Sequence, residues 1–305
     1  MASEELAGTP TAAPVNALPS TGDPVDIRTR FNAVPVAAMD GIWRIENVDI
    51  PNGDALMRLR VYSANDDRDS PAVLAFHGGG WVFGDLLWME RQCRQLAASV
   101  PCRVISVDYR LAPEARFPSA AEDAYTALTY VASNADRLGI DPARIAAYGQ
   151  SAGGNLVTAL ALMARDRGGP PLRMQIPVYP VIDADFERDS YKRLGETSGP
   201  TRAQMEWFWD LYVDPADRGN PYVSALKAET FVGVAPALVI TAGEDPLQNE
   251  GEAYADRLRD DGIPVTHKMY EGMGHGFINL NYLYPQAQEA FDSVVAALRS
   301  CFGIE

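Results

Sequence analysis

Short apolar runs alternate along most of the chain with longer stretches that are compatible with helices. Each run is four to six residues long, which is typical of a strand. The runs are Met57–Tyr62, Ala72–Phe76, Arg103–Val107, Ile145–Tyr148, Met174–Tyr179, Ala237–Thr241 and Val265–Tyr270. Largely apolar strands that alternate with helices pair in parallel and are covered by helices on both faces. The pattern therefore predicts an α/β fold with a mostly parallel sheet.

The N-terminal stretch departs from this alternation. Residues 1–22 are rich in Ala, Pro, Thr and Gly and predict a loosely attached tail. Asp23 followed by Pro24 is typical of a helix start, because aspartate caps free N–H groups and proline suits the first helical position. A short helix is therefore predicted over 25–31.

A second departure is an insertion at residues 185–222, between the fifth and sixth predicted strands. Thr201 and Gln204 have the spacing of a capping box, in which each side chain binds the other residue's backbone N–H group. The pair predicts a helix over 205–212, and this helix is unusually rich in aromatic residues.

The composition excludes several classes of protein. The chain has 305 residues, of which 47% are hydrophobic, so it can bury one full core. Its net charge of −15 argues against a nucleic-acid or anionic-membrane partner, since either would need a basic face. No apolar run approaches the roughly 20 residues of a membrane-spanning helix, so we expect no membrane association.

Signals for targeting, disulfides and cofactors are missing from the sequence. Residues 1–6 have neither the basic nor the apolar region of a secretory signal, so we expect a cytoplasmic protein. Cys93, Cys102 and Cys301 are odd in number and widely spaced, which is typical of reduced thiols rather than of disulfides or a metal site. There is no Walker-type loop and no dinucleotide-binding glycine pattern, so we expect no cofactor and no metal.

One pentapeptide carries the strongest chemical signal. Residues 149–153 read Gly-Gln-Ser-Ala-Gly, directly after the strand predicted at 145–148 and directly before a helix-compatible stretch. A serine between two near glycines at such a junction is a nucleophile elbow, because only a very tight turn lifts the hydroxyl clear of the sheet. Ser151 is therefore predicted to be a nucleophile.

Two further loops offer the partners that a serine nucleophile needs. The second predicted strand runs into His77 and the glycines Gly78–Gly80, whose backbone N–H groups can approach an anion closely. The sixth is followed by Asp245, and thirty residues later His275 lies between two glycines just past the last predicted strand. The order Ser, Asp, His, each in a loop after a strand, is the triad order of an α/β-hydrolase.

Five separated segments resemble those of the hormone-sensitive-lipase-like carboxylesterases, in wording and in order. They read His-Gly-Gly-Gly-Trp at 77–81, Asp-Tyr-Arg-Leu-Ala-Pro-Glu at 108–114, Ser-Ala-Gly-Gly-Asn at 151–155, Asp-Pro-Leu at 245–247 and Gly-His-Gly-Phe at 274–277. The resemblance implies the α/β-hydrolase fold with a helical cap over the site. Residues 1–47 would hold the N-terminal tail and the first cap segment, the insertion at 185–222 would be the second cap segment, and the core would comprise 48–184 and 223–305.

The resemblance also implies a role for individual residues. The implied roles are nucleophile for Ser151, acid for Asp245, base for His275 and oxyanion donor for the backbone N–H groups of Gly79, Gly80 and Ala152. Gly78 could replace one of these donors, because the sequence does not fix the turn.

Other residues near these motifs receive structural interpretations. Of the three histidines in the chain, His267 lies inside a predicted strand, and His77 is interpreted as a loop-shaping residue whose ring binds backbone. Glu244 and Glu250 are rivals for the role of acid, but the end of the predicted strand favours Asp245. We interpret Glu250 as part of a helix that follows the strand.

Four positions near the motifs have no assigned chemistry. Arg110 and Glu114 are expected in buried ion pairs that brace the elbow. Two residues depart from the family pattern. Gln150 stands where the family usually has Asp or Thr, and Asn249 stands where it usually has a second Asp.

The residues that line the substrate pocket are harder to identify. Met205 and Phe208 lie about one helical turn apart on the aromatic helix, and with Trp81 they are our candidates for substrate binding. The alternative is that these side chains are ordinary core.

The sequence predicts a carboxylesterase that acts on short to medium acyl esters. Ser151 would attack the ester carbonyl while His275 takes its proton, and water would later hydrolyse the acyl-enzyme. An amidase or peptidase with the same triad is one alternative, because amides use the same acyl-transfer route. A non-catalytic small-molecule receptor on the same fold is another, although it would be expected to lack a triad member. The expected partner is a small ester, and a homodimer is compatible with the sequence.

Overall fold

The protein is described by a computed structural model that covers residues 21–25, 28 and 42–304. Within these ranges, eight strands form one sheet in the order β1-β2-β4-β3-β5-β6-β7-β8. The strands are β1 (Arg44–Asn52), β2 (Ala55–Ser63), β3 (Ser70–Phe76), β4 (Arg103–Val107), β5 (Ile140–Gln150), β6 (Met174–Val178), β7 (Ala237–Glu244) and β8 (Val265–Gly274). β2 pairs antiparallel with β1 and with β4, and the other neighbours pair in parallel.

Helices connect most of these strands. They are α1 (Glu90–Ser99), α2 (Ser119–Ser133), α3 (Ala135–Leu138), α4 (Ala152–Asp166), α5 (Asp189–Leu194), α6 (Arg202–Tyr212), α7 (Gln248–Asp260) and α8 (Pro285–Phe302). Short 3-10 turns lie at Pro215–Asp217, Ala225–Lys227 and Phe277–Leu280.

Side chains of the central strand β3 alternate between two helical layers. Ala72, Leu74 and Phe76 pack in one apolar cluster with α2 and α4, whereas Val73 and Ala75 pack in another with α1 and α8. All five side chains are fully buried. Because helices cover both faces, both sets of alternate residues must be apolar, which is why this strand reads as a continuous apolar run.

The predicted α/β-hydrolase architecture is confirmed, and each of the seven predicted strands is present. β1 was missed because it is an edge strand on which only Val48 and Ile50 are buried. Five of the predicted strands were too short. β2 and β5 extend further at both ends, β3 begins at Ser70, β7 continues to Glu244 and β8 continues to Gly274.

The N-terminal prediction falls largely outside the described residues. Residues 1–20 are not among them, and of the helix predicted over 25–31 only Val25 and Arg28 are described, both helical. The Arg28 guanidinium donates to Val82 O at 2.6 Å and forms an ion pair with Glu114 at 2.6 Å. This segment is therefore attached to the chain that follows the glycine loop.

The insertion at 185–222 contains α5 and α6, and the capping box that opens α6 is confirmed. The Thr201 side chain accepts from the Gln204 backbone N–H group, and the Gln204 side chain accepts from the Thr201 N–H group. The insertion packs on the loop after β3, since the rings of Trp81 and Tyr212 stack with centroids 4.2 Å apart. The division of the chain into cap and core stays a prediction.

Candidate active site

The turn between β5 and α4 has the geometry of a nucleophile elbow. Ser151 has φ 54° and ψ −119°, a region that L residues rarely adopt and that costs on the order of 1–3 kcal/mol. Its N–H group donates to Val178 O at 2.9 Å. A Cβ atom on Gly149 would overlap the backbone of Gly153, and one on Gly153 would overlap Phe76 O. The two glycines are therefore required by close backbone packing.

Asp245 and His275 meet at the carboxyl ends of β7 and β8. Asp245 directly follows β7, and its Oδ2 lies 2.7 Å from His275 Nδ1. Its Oδ1 accepts from the Leu247 N–H group at 2.9 Å. The two side chains are 1% and 5% exposed, so little solvent weakens their contact. This contact makes Nδ1 the protonated nitrogen of a neutral imidazole and leaves Nε2 free to accept a proton.

Ser151 and His275 line the same cavity of about 390 Å³. The cavity walls come from the glycine loop, the elbow, the insertion and the loop after β8. The lining residues are Gly78, Gly79, Gly80, Trp88, Gln150, Ser151, Tyr179, Thr197, Ser198, Gly199, Pro200, Met205, Phe208, Glu244, Gly274, His275, Gly276, Asn279 and Leu280. Among the described contacts, no hydrogen bond joins Ser151 Oγ to His275. Such bonds are often long before substrate binds.

The glycine loop lines this cavity with Gly78, Gly79 and Gly80. Gly79 and Gly80 have φ of 109° and 60°, which favour glycine, and Gly79 O accepts from the Phe83 N–H group at 2.8 Å. Within the described part of the chain, the N–H groups of Gly79, Gly80 and Ala152 donate to no backbone carbonyl. Ala152 opens α4, where the first N–H groups of a helix lack internal partners. Donors of this kind suit an oxyanion.

His77 shapes the glycine loop, as its interpretation from the sequence proposed. Its Nδ1 lies 2.7 Å from Gly78 O, and its ring stacks on Tyr109 with centroids 4.2 Å apart. Burial lowers the pKa of His77 to about 4. The ring is therefore neutral at physiological pH and donates from Nδ1 to the carbonyl.

Of the rivals of the base and the acid, Glu244 lines the cavity, whereas His267 and Glu250 lie elsewhere. His267 is in β8, and its Nε2 contacts Thr241 Oγ1 at 2.8 Å. Glu250 lies in α7, as expected, and its Oε2 accepts from the Asp183 N–H group at 2.8 Å. Neither side chain lines the cavity that contains Ser151.

The three candidates for substrate binding separate into two groups. Met205 and Phe208 line the cavity, and Phe208 packs directly against Gly80. Trp81 is fully buried against Trp209 and Tyr212 and does not line the cavity. We therefore remove Trp81 from the candidates, because its ring stacks between the loop and the insertion.

The expected buried ion pairs of Arg110 and Glu114 are wrong in part. Arg110 pairs with Asp123 at 2.6 Å, and only the aspartate is buried, since the arginine side chain is 47% exposed. Glu114 is 51% exposed and pairs with Arg28. The two ion pairs join α2 and the N-terminal segment to the chain at 110–114, instead of bracing the elbow.

The two departures from the family pattern each make specific contacts. Asn249 Oδ1 accepts from the Ser190 N–H group at 2.8 Å, and Ser190 Oγ donates to Pro246 O at 2.6 Å. The insertion is thereby fixed to the loop that carries Asp245. Gln150 joins a buried group of polar side chains that no sequence motif indicated, apart from the departure itself.

The described residues offer neither a metal-binding cluster nor a membrane-spanning helix. Across residues 21–25, 28 and 42–304, no three His, Cys, Asp or Glu side chains are grouped where they could hold a metal ion. Of the helices in these ranges, none combines the length and apolar character needed to cross a bilayer.

Comparisons with known proteins identify the family of the chain. Residues 73–279 match a family described as having the alpha/beta hydrolase fold. The chain is 37% identical to carboxylic ester hydrolase LipN of Mycobacterium tuberculosis, over 84% of this chain and 70% of that protein. It is 39% identical to an ethyl acetate hydrolase of Pseudomonas putida, over 79% and 77% of the two chains.

A solved structure extends the match over nearly the whole chain. The structure is that of EstE1, a thermophilic carboxylesterase cloned from a metagenomic library, which has 37% sequence identity and a TM-score of 0.89. The match covers 93% of this chain and 99% of that one. The chain therefore belongs to the hormone-sensitive-lipase-like carboxylesterases of the α/β-hydrolase superfamily.

Proposed function

We propose that this chain hydrolyses carboxylic esters with Ser151 as nucleophile, His275 as base and Asp245 as the residue that orients the base. The observation that carries this proposal is the 2.7 Å contact between His275 Nδ1 and the buried Asp245 carboxylate, in a histidine that shares its cavity with Ser151. The contact fixes the tautomer that the first proton transfer requires.

The reaction proceeds through an acyl-enzyme. Ser151 Oγ attacks the ester carbonyl carbon while His275 Nε2 takes the hydroxyl proton. The N–H groups of Gly79, Gly80 and Ala152 stabilise the negative oxygen that forms. His275 then gives the proton to the departing alkoxide as the bond between the acyl carbon and the alcohol oxygen breaks. Water attacks the acyl-enzyme by the same route and releases the acid and Ser151.

The cavity supports small, uncharged substrates. Its apolar walls include Trp88, Met205, Phe208 and Leu280, and its volume of about 390 Å³ suits a short to medium acyl group better than a long one. The ionisable side chains among its described lining residues are those of His275, Tyr179 and Glu244, and Glu244 supplies the one carboxylate. One relative is named ethyl acetate hydrolase, and ethyl acetate is a small, neutral ester.

The test is a hydrolysis screen with p-nitrophenyl esters of increasing acyl length and a matched p-nitroanilide. We expect the short esters to be cleaved fastest and Ser151→Ala to be folded and almost inactive. A serine-directed phosphonate should label Ser151, as read by mass spectrometry. Labelling of another serine, or full activity of Ser151→Ala, would contradict the mechanism, and faster cleavage of the anilide would favour an amidase.

A further inference from the structure

Three amide side chains beside the site form a closed ring of hydrogen bonds. Gln150 Nε2 donates to Gln92 Oε1, and Gln92 Nε2 donates to Asn279 Oδ1 at 2.6 Å. Asn279 Nδ2 donates back to Gln150 Oε1 at 3.0 Å. Gln92 and Gln150 are buried. The three residues come from α1, the end of β5 and the turn after His275, so the ring joins three elements that are far apart in the sequence.

Two buried tyrosines complete the hydrogen bonding of Gln150. Tyr179 Oη donates to Gln150 Oε1 at 2.7 Å, and Gln150 Nε2 donates to Tyr148 Oη at 3.0 Å. The amide oxygen thus accepts two bonds and the amide nitrogen donates two, which uses its full capacity. A carboxylate at this position could not replace the two donated bonds, because an ionised carboxylate only accepts. The surrounding groups therefore select an amide.

The Gln150 side chain is connected to the catalytic base in two ways. Asn279 lies in the 3-10 turn Phe277–Leu280, which begins two residues after His275. The Tyr179 ring contacts the His275 ring, with centroids 4.6 Å apart and planes inclined by 53°. Gln150 is itself the residue before Ser151. The Gln150 side chain therefore links the backbone next to Ser151 to Asn279 and to Tyr179.

We propose that Gln150 is a positioning residue that keeps the His275 ring aligned with Ser151 through Asn279 and Tyr179. The inference rests on the proposed function, since it requires proton transfer between these two residues. Displacement of reacting groups by about 1 Å can lower a rate by about 100-fold. A neutral amide achieves this positioning without adding a second carboxylate beside the Asp245 and His275 pair.

The first test compares Gln150→Ala with a matched control. The control is Tyr254→Phe. It removes a fully buried hydroxyl that donates to the Gln175 oxygen at 2.7 Å, just as the Tyr179 hydroxyl donates to the Gln150 oxygen. Tyr254 does not line the cavity. We expect Gln150→Ala to lower kcat for a p-nitrophenyl ester by about 10- to 100-fold with KM changed less than about threefold. Tyr254→Phe should lose stability and keep its kcat.

Milder variants keep the proposal testable if Gln150→Ala does not fold. Tyr179→Phe removes one bond and keeps the ring on His275, and we expect a loss of kcat larger than that of Tyr254→Phe. Gln150→Glu keeps the two accepted bonds. Its kcat relative to the wild type should fall as pH rises, because the introduced carboxyl becomes ionised and then opposes the oxygens of Gln92 and Tyr148.

The opposite results would overturn the proposal. A kcat for Gln150→Ala and Tyr179→Phe no lower than that of Tyr254→Phe would show that the ring only stabilises the fold. A change confined to KM would make Gln150 a substrate contact, since it also lines the cavity. Both results leave ester hydrolysis by Ser151 intact. A wild-type protein as inactive as Ser151→Ala would instead reject the proposed function.

Discussion

Two buried carboxyl groups lie five residues apart after β7, and their surroundings differ. Asp245 is 1% exposed and places one oxygen 2.7 Å from the His275 imidazole. Glu250 is 0% exposed, and its Oε2 accepts from the backbone N–H groups of Ile182 and Asp183. Its Oε1 has no hydrogen-bond partner among the described residues.

The comparison shows that burial alone does not identify a catalytic acid. Asp245 contacts a ring that shares a cavity with the nucleophile, so its charge can stabilise the imidazolium that forms during reaction. Glu250 contacts the chain that leads from β6 into the insertion, so its effect is on structure. Burial raises the pKa of Glu250 well above its usual value, and the two backbone donors only partly oppose this. The partner of each carboxyl decides its role.

The largest expected effect is the loss of turnover in Asp245→Asn. The amide can favour the wrong imidazole tautomer, so we expect kcat to fall by roughly four orders of magnitude while the protein stays folded. Glu250→Gln should lower kcat far less, because Glu250 does not contact His275. Steady-state kinetics with a p-nitrophenyl ester compares the two variants. If Glu250→Gln loses most of its kcat and Asp245→Asn loses little, Asp245 is not the residue that orients His275.

A smaller effect concerns stability. The folded protein holds the Glu250 proton to a higher pH than the unfolded chain, so its contribution to stability is full below about pH 4.5 and is lost as pH rises through the folded pKa. Glutamine does not titrate. Glu250→Gln should therefore gain about 1 kcal/mol or more over the wild type at pH 8, with the difference shrinking toward pH 4.5. Urea unfolding at several pH values measures this, and a difference independent of pH would contradict the role of burial.

The smallest expected effect involves Glu244, an exposed carboxylate that lines the cavity and precedes Asp245 in the sequence. It should repel substrates with a negative acyl chain, and at about 1 kcal/mol this repulsion corresponds to roughly fivefold. Glu244→Gln should raise kcat/KM for a monosuccinate ester relative to a neutral ester of equal length. Added salt should reduce the discrimination by the wild type. An unchanged ratio in the variant would place Glu244 outside the substrate's reach.

Most of the architecture could be predicted because its signals are local. Central strands such as β3 are buried on both faces and so read as short apolar runs. The elbow needs small residues at Gly149 and Gly153, where a Cβ would overlap backbone, and this requirement is visible within five residues. The edge strand β1 was missed for the opposite reason, since only Val48 and Ile50 of its nine residues are buried.

Partners that are distant in the sequence could not be predicted from spacing. Gln92 and Asn279 are separated by 187 residues, and Asn279 and Gln150 by 129. The departure at Gln150 indicated an unusual position, and nothing nearby named its partners. Similarly, Trp81 belongs to a motif in the sequence, but its ring stacks on Tyr212 of the insertion instead of lining the cavity.

The sequence by itself determined seven of the eight described strands, the tight turn of the nucleophile and the order in which serine, aspartate and histidine follow strand ends. These features depend on burial patterns and backbone sterics within a few residues. The tertiary structure alone decided that Glu250 binds the backbone of Ile182 and Asp183, and that Gln150 joins α1 to the turn after His275. The reason is physical. The direction of a buried side chain and the identity of its hydrogen-bond partners depend on how distant elements pack around the sheet.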